Sequence, residues 1–153
     1  MGIKMKERLE KELEYEKVFS EKTIEAGETI IPHLVIFKGD TIVPIFSPER
    51  EDIIKVLRAV LTTEFDMLIV SFEGYMREVK EEKLEEYTKR YKYGDVQKDK
   101  SSIEVVVIWG IEKKTNYRCV NIYKKEGSKL SLLHKLENED FDRVMGNLSF
   151  MGC

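Results

Sequence analysis

The chain has 153 residues, of which 42% are hydrophobic and 36% are charged. This composition is that of one globular domain with one core, and it excludes a mostly disordered chain. The formal net charge of -3 provides no general attraction to nucleic acid or to an anionic membrane. Lys and Glu dominate the charged residues while Gln is almost absent, a balance typical of proteins that work at high temperature.

Cysteine content and hydropathy indicate the compartment. Cys119 and Cys153 are too few for a disulfide framework or a metal cluster. The first residues are charged where a signal peptide would be apolar, and no apolar run approaches the roughly 18 residues of a membrane span. We therefore expect a cytoplasmic protein without a membrane association.

The first predicted element is an amphipathic helix over residues 4 to 22. Its apolar positions recur at helical spacing among dense Glu and Lys, namely Met5, Leu9, Leu13, Val18 and Phe19. Because this stripe is narrow, we expect residues 1–27 to be less firmly attached than the rest of a single domain spanning residues 1–153.

A hairpin and a second helix follow. The segment "TIIPHLVIFKGDTIVPIF" predicts two strands joined at Gly39-Asp40. Pro32 and Pro44 each remove a ladder donor, so these strands belong near a sheet edge or at bulges. Ser47 can cap the next helix and Pro48 fits its first position.

The remaining sequence predicts four strands, two helices and a loop. The segment "IEVVVIWGI" is apolar on both faces, which is typical of a central strand covered on both sides. The elements in chain order are a strand over 66–79, a helix over 81–92, the loop "YGDVQKDKSS", the strand "IEVVVIWGI", the strands "NYRCVNIYKKE" and "KLSLLHKL" joined near Gly127-Ser128, and a last helix that Asn138 can cap.

The element order α-β-β-α-β-α-β-β-β-α predicts an α+β fold. Short connections between consecutive strands indicate a largely antiparallel sheet of five to six strands with helices packed on it. This order resembles the roadblock and longin type of domain, in which a five-stranded antiparallel sheet lies between helices. The resemblance implies, by analogy, a platform for dimerisation or docking.

The strand over 66–79 has two different faces. Alternation places Leu68, Val70, Phe72, Gly74 and Met76 on a core face, and Ile69, Ser71, Glu73, Tyr75 and Arg77 on the other. One interpretation of the second face is a cleft in which Glu73 and Tyr75 act as acid or donor while Gly74 admits a ligand. The other is the solvated face of a one-sided antiparallel sheet. The candidate binding residues are Ser71, Glu73, Tyr75 and Arg77.

The same strand carries a resemblance to a family. The segment "FDMLIVSFEGYMREV", with the later "DKSSIEVVVIWGIEKKTNYRCVNIYKKEG", resembles an uncharacterised family of bacterial and viral proteins whose strand has the form D-x-hydrophobic-hydrophobic-F-V-S-E-A-W-M. With Phe72 as an insertion, Ser71, Glu73, Tyr75 and Met76 match the Ser, Glu, aromatic and Met positions. The proline-bounded acidic segment of that family is replaced here by "YGDVQKDKSS". The resemblance implies a fold and no activity.

Parts of the sequence fit two further functions. Glu73, Asp99 and the Glu112-Lys113-Lys114 run are candidates for a metal-dependent hydrolase or nuclease. Residues 87–94, "YTKRYKYG", interleave aromatic and basic side chains that could stack on bases and contact phosphates. The acidic residues just before this segment would repel phosphate, which argues against nucleic acid as a partner.

Recognisable catalytic motifs are missing from the sequence. His33 and His134 have no partner at metal-ligand spacing, and we expect both to be strand residues with satisfied hydrogen bonds. Trp109 and Cys119 are predicted core. No nucleophile elbow, phosphate loop or dinucleotide fingerprint occurs, so no cofactor is expected. The sequence therefore favours a non-catalytic binding or assembly module, a homodimer or the partner of another protein, over an enzyme.

Overall fold

The computed structural model describes residues 2–76 and 103–138, which form two helices and a six-stranded sheet. The elements are α1 (Gly2–Glu25), β1 (His33–Lys38), β2 (Thr41–Phe46), α2 (Arg50–Val60), β3 (Met67–Met76), β4 (Ile103–Glu112), β5 (Tyr117–Glu126) and β6 (Lys129–Glu137).

The strands lie in the order β2-β1-β3-β4-β5-β6, and each neighbouring pair is antiparallel. The predicted α+β class with an antiparallel sheet is therefore confirmed. β4 lies inside the sheet, and eight of its ten residues are buried, as its apolar sequence predicted. The predicted helix over 81–92, the end of the predicted strand at 77–79 and the helix after Asn138 lie outside the described residues.

Both predicted hairpins are present. β1 and β2 meet at the pair Lys38 and Thr41, and Gly39 between them has a φ of 57°. A positive φ at the first turn position suits the twist of a two-residue hairpin and favours glycine there. β2 is an edge strand, as Pro44 predicted, because the pyrrolidine nitrogen cannot donate to a further strand. Pro32 lies just before β1.

The sheet has a hydrophobic layer on each face. On one face, α2 buries Ile53 and Leu57 against β-strand residues that include Leu68, Val70 and Trp109. On the opposite face, α1 buries Leu9 and Leu13 against residues that include Ile69, Val106, Ile108 and Tyr123. The described part of the sheet therefore lies between two helices.

α1 approaches β4 closely at a glycine. A Cβ atom added to Gly110 would lie 2.8 Å from Leu9 Cδ1 and 3.2 Å from Leu13 Cδ2. Only a glycine lets the two leucines reach the sheet at this distance. The predicted apolar stripe is correct at Leu9 and Leu13 and wrong at Val18 and Phe19, which are exposed. The side of α1 that lies on the sheet instead continues through Glu16, which is partly buried, and Ser20, which is fully buried.

α2 begins later than predicted, because Ser47 makes a turn of its own before the helix. The Ser47 hydroxyl accepts a hydrogen bond from the Glu49 N–H at 3.2 Å, and the helix begins at Arg50 with Glu49 as a cap residue that makes no side-chain cap bond. At the other end, the Lys113 ammonium donates to the carbonyls of Leu61 and Thr63, which suits the negative end of a helix.

Candidate functional site

The candidate face of β3 is covered by α1. Ser71 is fully buried, and Glu73 and Tyr75 are partly buried. The interpretation as an open, solvated sheet face is therefore wrong at Ser71, where a helix lies on the face. Arg77 lies outside the described residues.

A buried polar cluster, which we call the clasp, joins three elements through Glu16, His33 and Ser71. One carboxylate oxygen of Glu16 lies 2.7 Å from His33 Nε2 and accepts a hydrogen bond from the Ser71 hydroxyl at 3.0 Å. His33 Nδ1 lies 2.8 Å from the carbonyl oxygen of Ile31. His33 and Ser71 are direct cross-strand partners on β1 and β3, so a single residue of α1 reaches both. The prediction that His33 has a satisfied hydrogen bond is confirmed.

The partners of His33 determine its protonation. Both ring nitrogens face oxygen atoms, and a carbonyl and a carboxylate can only accept hydrogen bonds. Burial alone would lower the pKa of His33, but the hydrogen bond and the negative charge of Glu16, with the bond to the Ile31 carbonyl, raise the pKa above its ordinary value. Below this raised pKa the clasp is a partly buried ion pair of imidazolium and carboxylate, with the Ser71 hydroxyl as a second donor.

Glu73 is engaged within the protein. Its carboxylate accepts a hydrogen bond from the Ile30 N–H at 3.2 Å and lies 3.5 Å from the Lys125 ammonium, which also lies 3.5 Å from Glu104. Glu73 therefore ties the segment after α1 to the sheet. Tyr75 lies opposite Glu104 in the ladder between β3 and β4.

The structure does not bring the candidate metal-binding carboxylates Glu73 and Glu112 together. Glu112 is the cross-strand partner of Met67, six residues before Glu73 on β3, which separates the two by about 20 Å along the strand. Glu112 is buried and accepts hydrogen bonds from the N–H groups of Lys114 and Thr115 at 2.9 and 2.8 Å. Asp99 and residues 87–94 lie outside the described residues. Within residues 2–76 and 103–138, no group of three or more His, Cys, Asp or Glu could hold a metal ion.

The other singled-out residues are core or strand residues. Trp109 and Cys119 are each 1% exposed, which confirms their prediction as core. Burial raises the pKa of the Cys119 thiol, which keeps the sulfur protonated and unreactive. His134 lies on β6, as predicted.

An exposed apolar surface, which sequence reasoning missed, lies beside the clasp. We call it the rim and define it by four residues from α1, the segment before β1, and β2: Phe19, Ile31, Ile42 and Phe46. Their exposed fractions are between 49% and 60%. The Phe46 ring stacks on the His33 ring with centroids 4.9 Å apart, and the Phe19 ring meets it edge-on at 5.7 Å.

A signal for the rim is present in β2 itself. The strand "TIVPIF" has no charged residue, although five of its six residues are exposed. Charged side chains are a common protection of edge strands against a partner, and here they are missing. Alternation alone could not distinguish this strand from a buried one, because both faces are apolar.

The free backbone edge of β2 is interrupted at its centre. The Ser47 N–H donates to the Pro32 carbonyl at 3.1 Å, and hydrogen-bonded pairs alternate from there along the hairpin. The backbone groups of Ile42, Pro44 and Phe46 consequently point away from β1. Pro44 has no N–H, so a strand added at this edge would lack a central hydrogen bond.

Among the residues described, no helix is both long and apolar enough to cross a membrane. Comparisons with family models, curated proteins and solved structures found no match to this chain. The likeness of "FDMLIVSFEGYMREV" to an uncharacterised family therefore remains a likeness of motif, and function is argued from the geometry of the chain.

Proposed function

We propose that this chain is a non-catalytic assembly module of the cytoplasm that forms a homodimer by packing its rim against the rim of a second copy. The observation that carries the proposal is the exposure of four large apolar side chains, two on the edge strand β2 and two on the neighbouring α1 and the segment before β1, of which Phe19 and Phe46 contact the same His33 ring. Contiguous exposed apolar surface on a folded domain is typical of an interaction site.

The polar candidates support a non-catalytic role. Ser71 is buried and donates to Glu16, while Glu73 binds the Ile30 N–H and the Lys125 ammonium. Side chains with these contacts orient α1 and the segment that follows it on the sheet. Because the polar groups of Ser71 and Glu73 are engaged in contacts within the protein, the rim is the better surface for a partner.

A second copy is the partner that the charge of the rim favours. In a two-fold dimer the same surface patch of each copy forms the contact. A charged side chain near the symmetry axis would therefore lie close to the same charge on the other copy. Neither β2 nor the rim carries a charged side chain. The rim can therefore lie against itself without electrostatic repulsion.

Pro44 favours contact through side chains over a continuous sheet. In a symmetric antiparallel pairing of two β2 strands centred on Pro44, the central pair would form neither of its two hydrogen bonds. Side-chain packing needs no backbone donor. We therefore expect the two copies to contact each other through the side chains of the rim.

Sedimentation equilibrium of the wild-type chain and an Ile42→Glu variant tests this proposal. Ile42 is 60% exposed and makes none of the ring contacts of His33. Full burial of such a side chain stabilises the dimer by about 1.5 kcal/mol or more. A two-fold dimer buries two copies of Ile42, so the substitution removes this contribution twice. We expect Ile42→Glu to raise the dissociation constant by about a hundredfold or more, since 1.4 kcal/mol is tenfold.

Leu132→Glu is the matched control, because Leu132 is 52% exposed on the opposite edge strand, β6. This variant should dimerise like the wild type. A wild-type chain that is monomeric at high concentration would refute the proposal. Equal weakening by both variants would show that the rim is not the interface.

A further inference from the structure

We infer that the clasp makes the rim responsive to protons: protonated His33 maintains the arrangement of Phe19 and Phe46 that forms the dimer, and self-association weakens when His33 loses its proton. This inference rests on the proposed function. It adds regulation by pH, sensed at a buried group directly beneath the interface.

Hydrogen-bond geometry requires the extra proton. A neutral imidazole carries one N–H, so one of its nitrogens presents a lone pair. With Nδ1 at 2.8 Å from the Ile31 carbonyl and Nε2 at 2.7 Å from the Glu16 carboxylate, that lone pair would face another lone pair. Loss of the proton therefore breaks one of the two contacts, and the ring or its partner must move.

The His33 ring contacts both aromatic residues of the rim. Phe46 stacks on one face at 4.9 Å, and Phe19 contacts the ring edge-on at 5.7 Å. Phe19 is on α1 three residues after Glu16, so both belong to the same stretch of helix. A change at the contact between Glu16 and His33 is consequently transmitted to both aromatic side chains.

The groups around His33 identify Glu16 as its charged contact. From α1 the ring faces Glu16 and Phe19; from β2 it faces Phe46, on a strand without charge. From β3 the cross-strand partner is the neutral Ser71. Glu73, the next residue on that face, is engaged with the Ile30 N–H and with Lys125.

The direction of the pH effect follows from the pKa. His33 has a folded-state pKa above the ordinary value of 6.5. The stabilisation from the charged clasp is complete below pH 6.5 and is lost as pH rises through the folded-state pKa. Dimerisation is linked to the difference between the His33 pKa in the dimer and in the folded free chain. We therefore expect the dimer dissociation constant to rise as pH rises from the free-chain pKa to the dimer pKa, about tenfold for each copy whose His33 pKa falls by one unit on dissociation.

The experiment measures the dimer dissociation constant of the full chain by sedimentation across this pH range, for the wild type and for Glu16→Gln. With its amide nitrogen in the place of the carboxylate oxygen that both groups contact, a glutamine can donate one N–H to a neutral Nε2 and the other to the Ser71 hydroxyl oxygen. Dimerisation of Glu16→Gln should therefore depend little on pH. Glu14→Gln removes a carboxylate that is 62% exposed on the same helix, and it should retain the wild-type dependence.

A His134→Gln variant removes the other histidine and should also behave like the wild type. The imidazole signal of His33 in NMR titration of the wild type gives a second measurement, with a midpoint above 6.5. A dimer whose affinity does not change with pH overturns this inference and leaves the proposed function in place. A monomer at every pH overturns both.

Discussion

Replacing Leu13 with alanine removes three carbon atoms from the contact between α1 and the sheet. Leu13 is 1% exposed, and its Cδ2 lies above Gly110 at the close approach to β4. The lost transfer free energy is about 0.8 kcal/mol for each carbon, and the cavity that remains adds to it. We expect the free energy of unfolding to fall by about 2 to 5 kcal/mol.

Urea denaturation followed by circular dichroism measures this change, and hydrogen exchange shows whether α1 opens first. Val18→Ala is the control, because Val18 is 37% exposed on the same helix and should cost well under about 1 kcal/mol. The expectation that residues 1–27 are less firmly attached is tested in the same measurement. A loss below about 0.5 kcal/mol for Leu13→Ala would refute the packing argument and favour a loosely attached helix.

Two further substitutions test the fit of α1 on the sheet. Gly110→Ala places a Cβ 2.8 Å from Leu9 Cδ1, so it should lower the free energy of unfolding by about 1 to 3 kcal/mol. In a double-mutant cycle, Leu9→Ala in the same chain should relieve part of that cost. Purely additive effects of the two substitutions would contradict the contact. Ser20→Ala removes a buried hydroxyl that has no hydrogen-bond partner among residues 2–76 and 103–138, so we expect the free energy of unfolding to rise by about 1 kcal/mol. A loss of stability on urea denaturation would instead show that the Ser20 hydroxyl is bonded.

Features of the fold that depend on residues close together in the sequence were predictable. The Gly39-Asp40 turn, the apolar run of β4 and the position of Pro44 on an edge strand all reflect local chemistry or periodicity. The start of α2 was predicted too early, because Ser47 was a suitable cap by type while its hydroxyl accepts from Glu49 in a turn before the helix.

The candidate site was only partly predictable. Alternation along β3 correctly placed Ser71, Glu73 and Tyr75 on the same face as Ile69. It could not show that Ser71 bonds to a residue 55 positions earlier, because the partner depends on how α1 lies across the sheet. His33 was expected to have a satisfied hydrogen bond, yet nothing near it in the chain indicated that Glu16 would be its partner.

The sequence by itself determined the strands, the hairpins and the α+β class, because turn chemistry and side-chain period act over a few residues. The tertiary structure alone decided which face of the sheet each helix covers, and with it the clasp and the exposed rim. Gly110 shows the reason: without a side chain it leaves space for Leu9 and Leu13, which are about a hundred residues away in the chain. Contacts of that kind arise from packing between elements, and no local pattern encodes them.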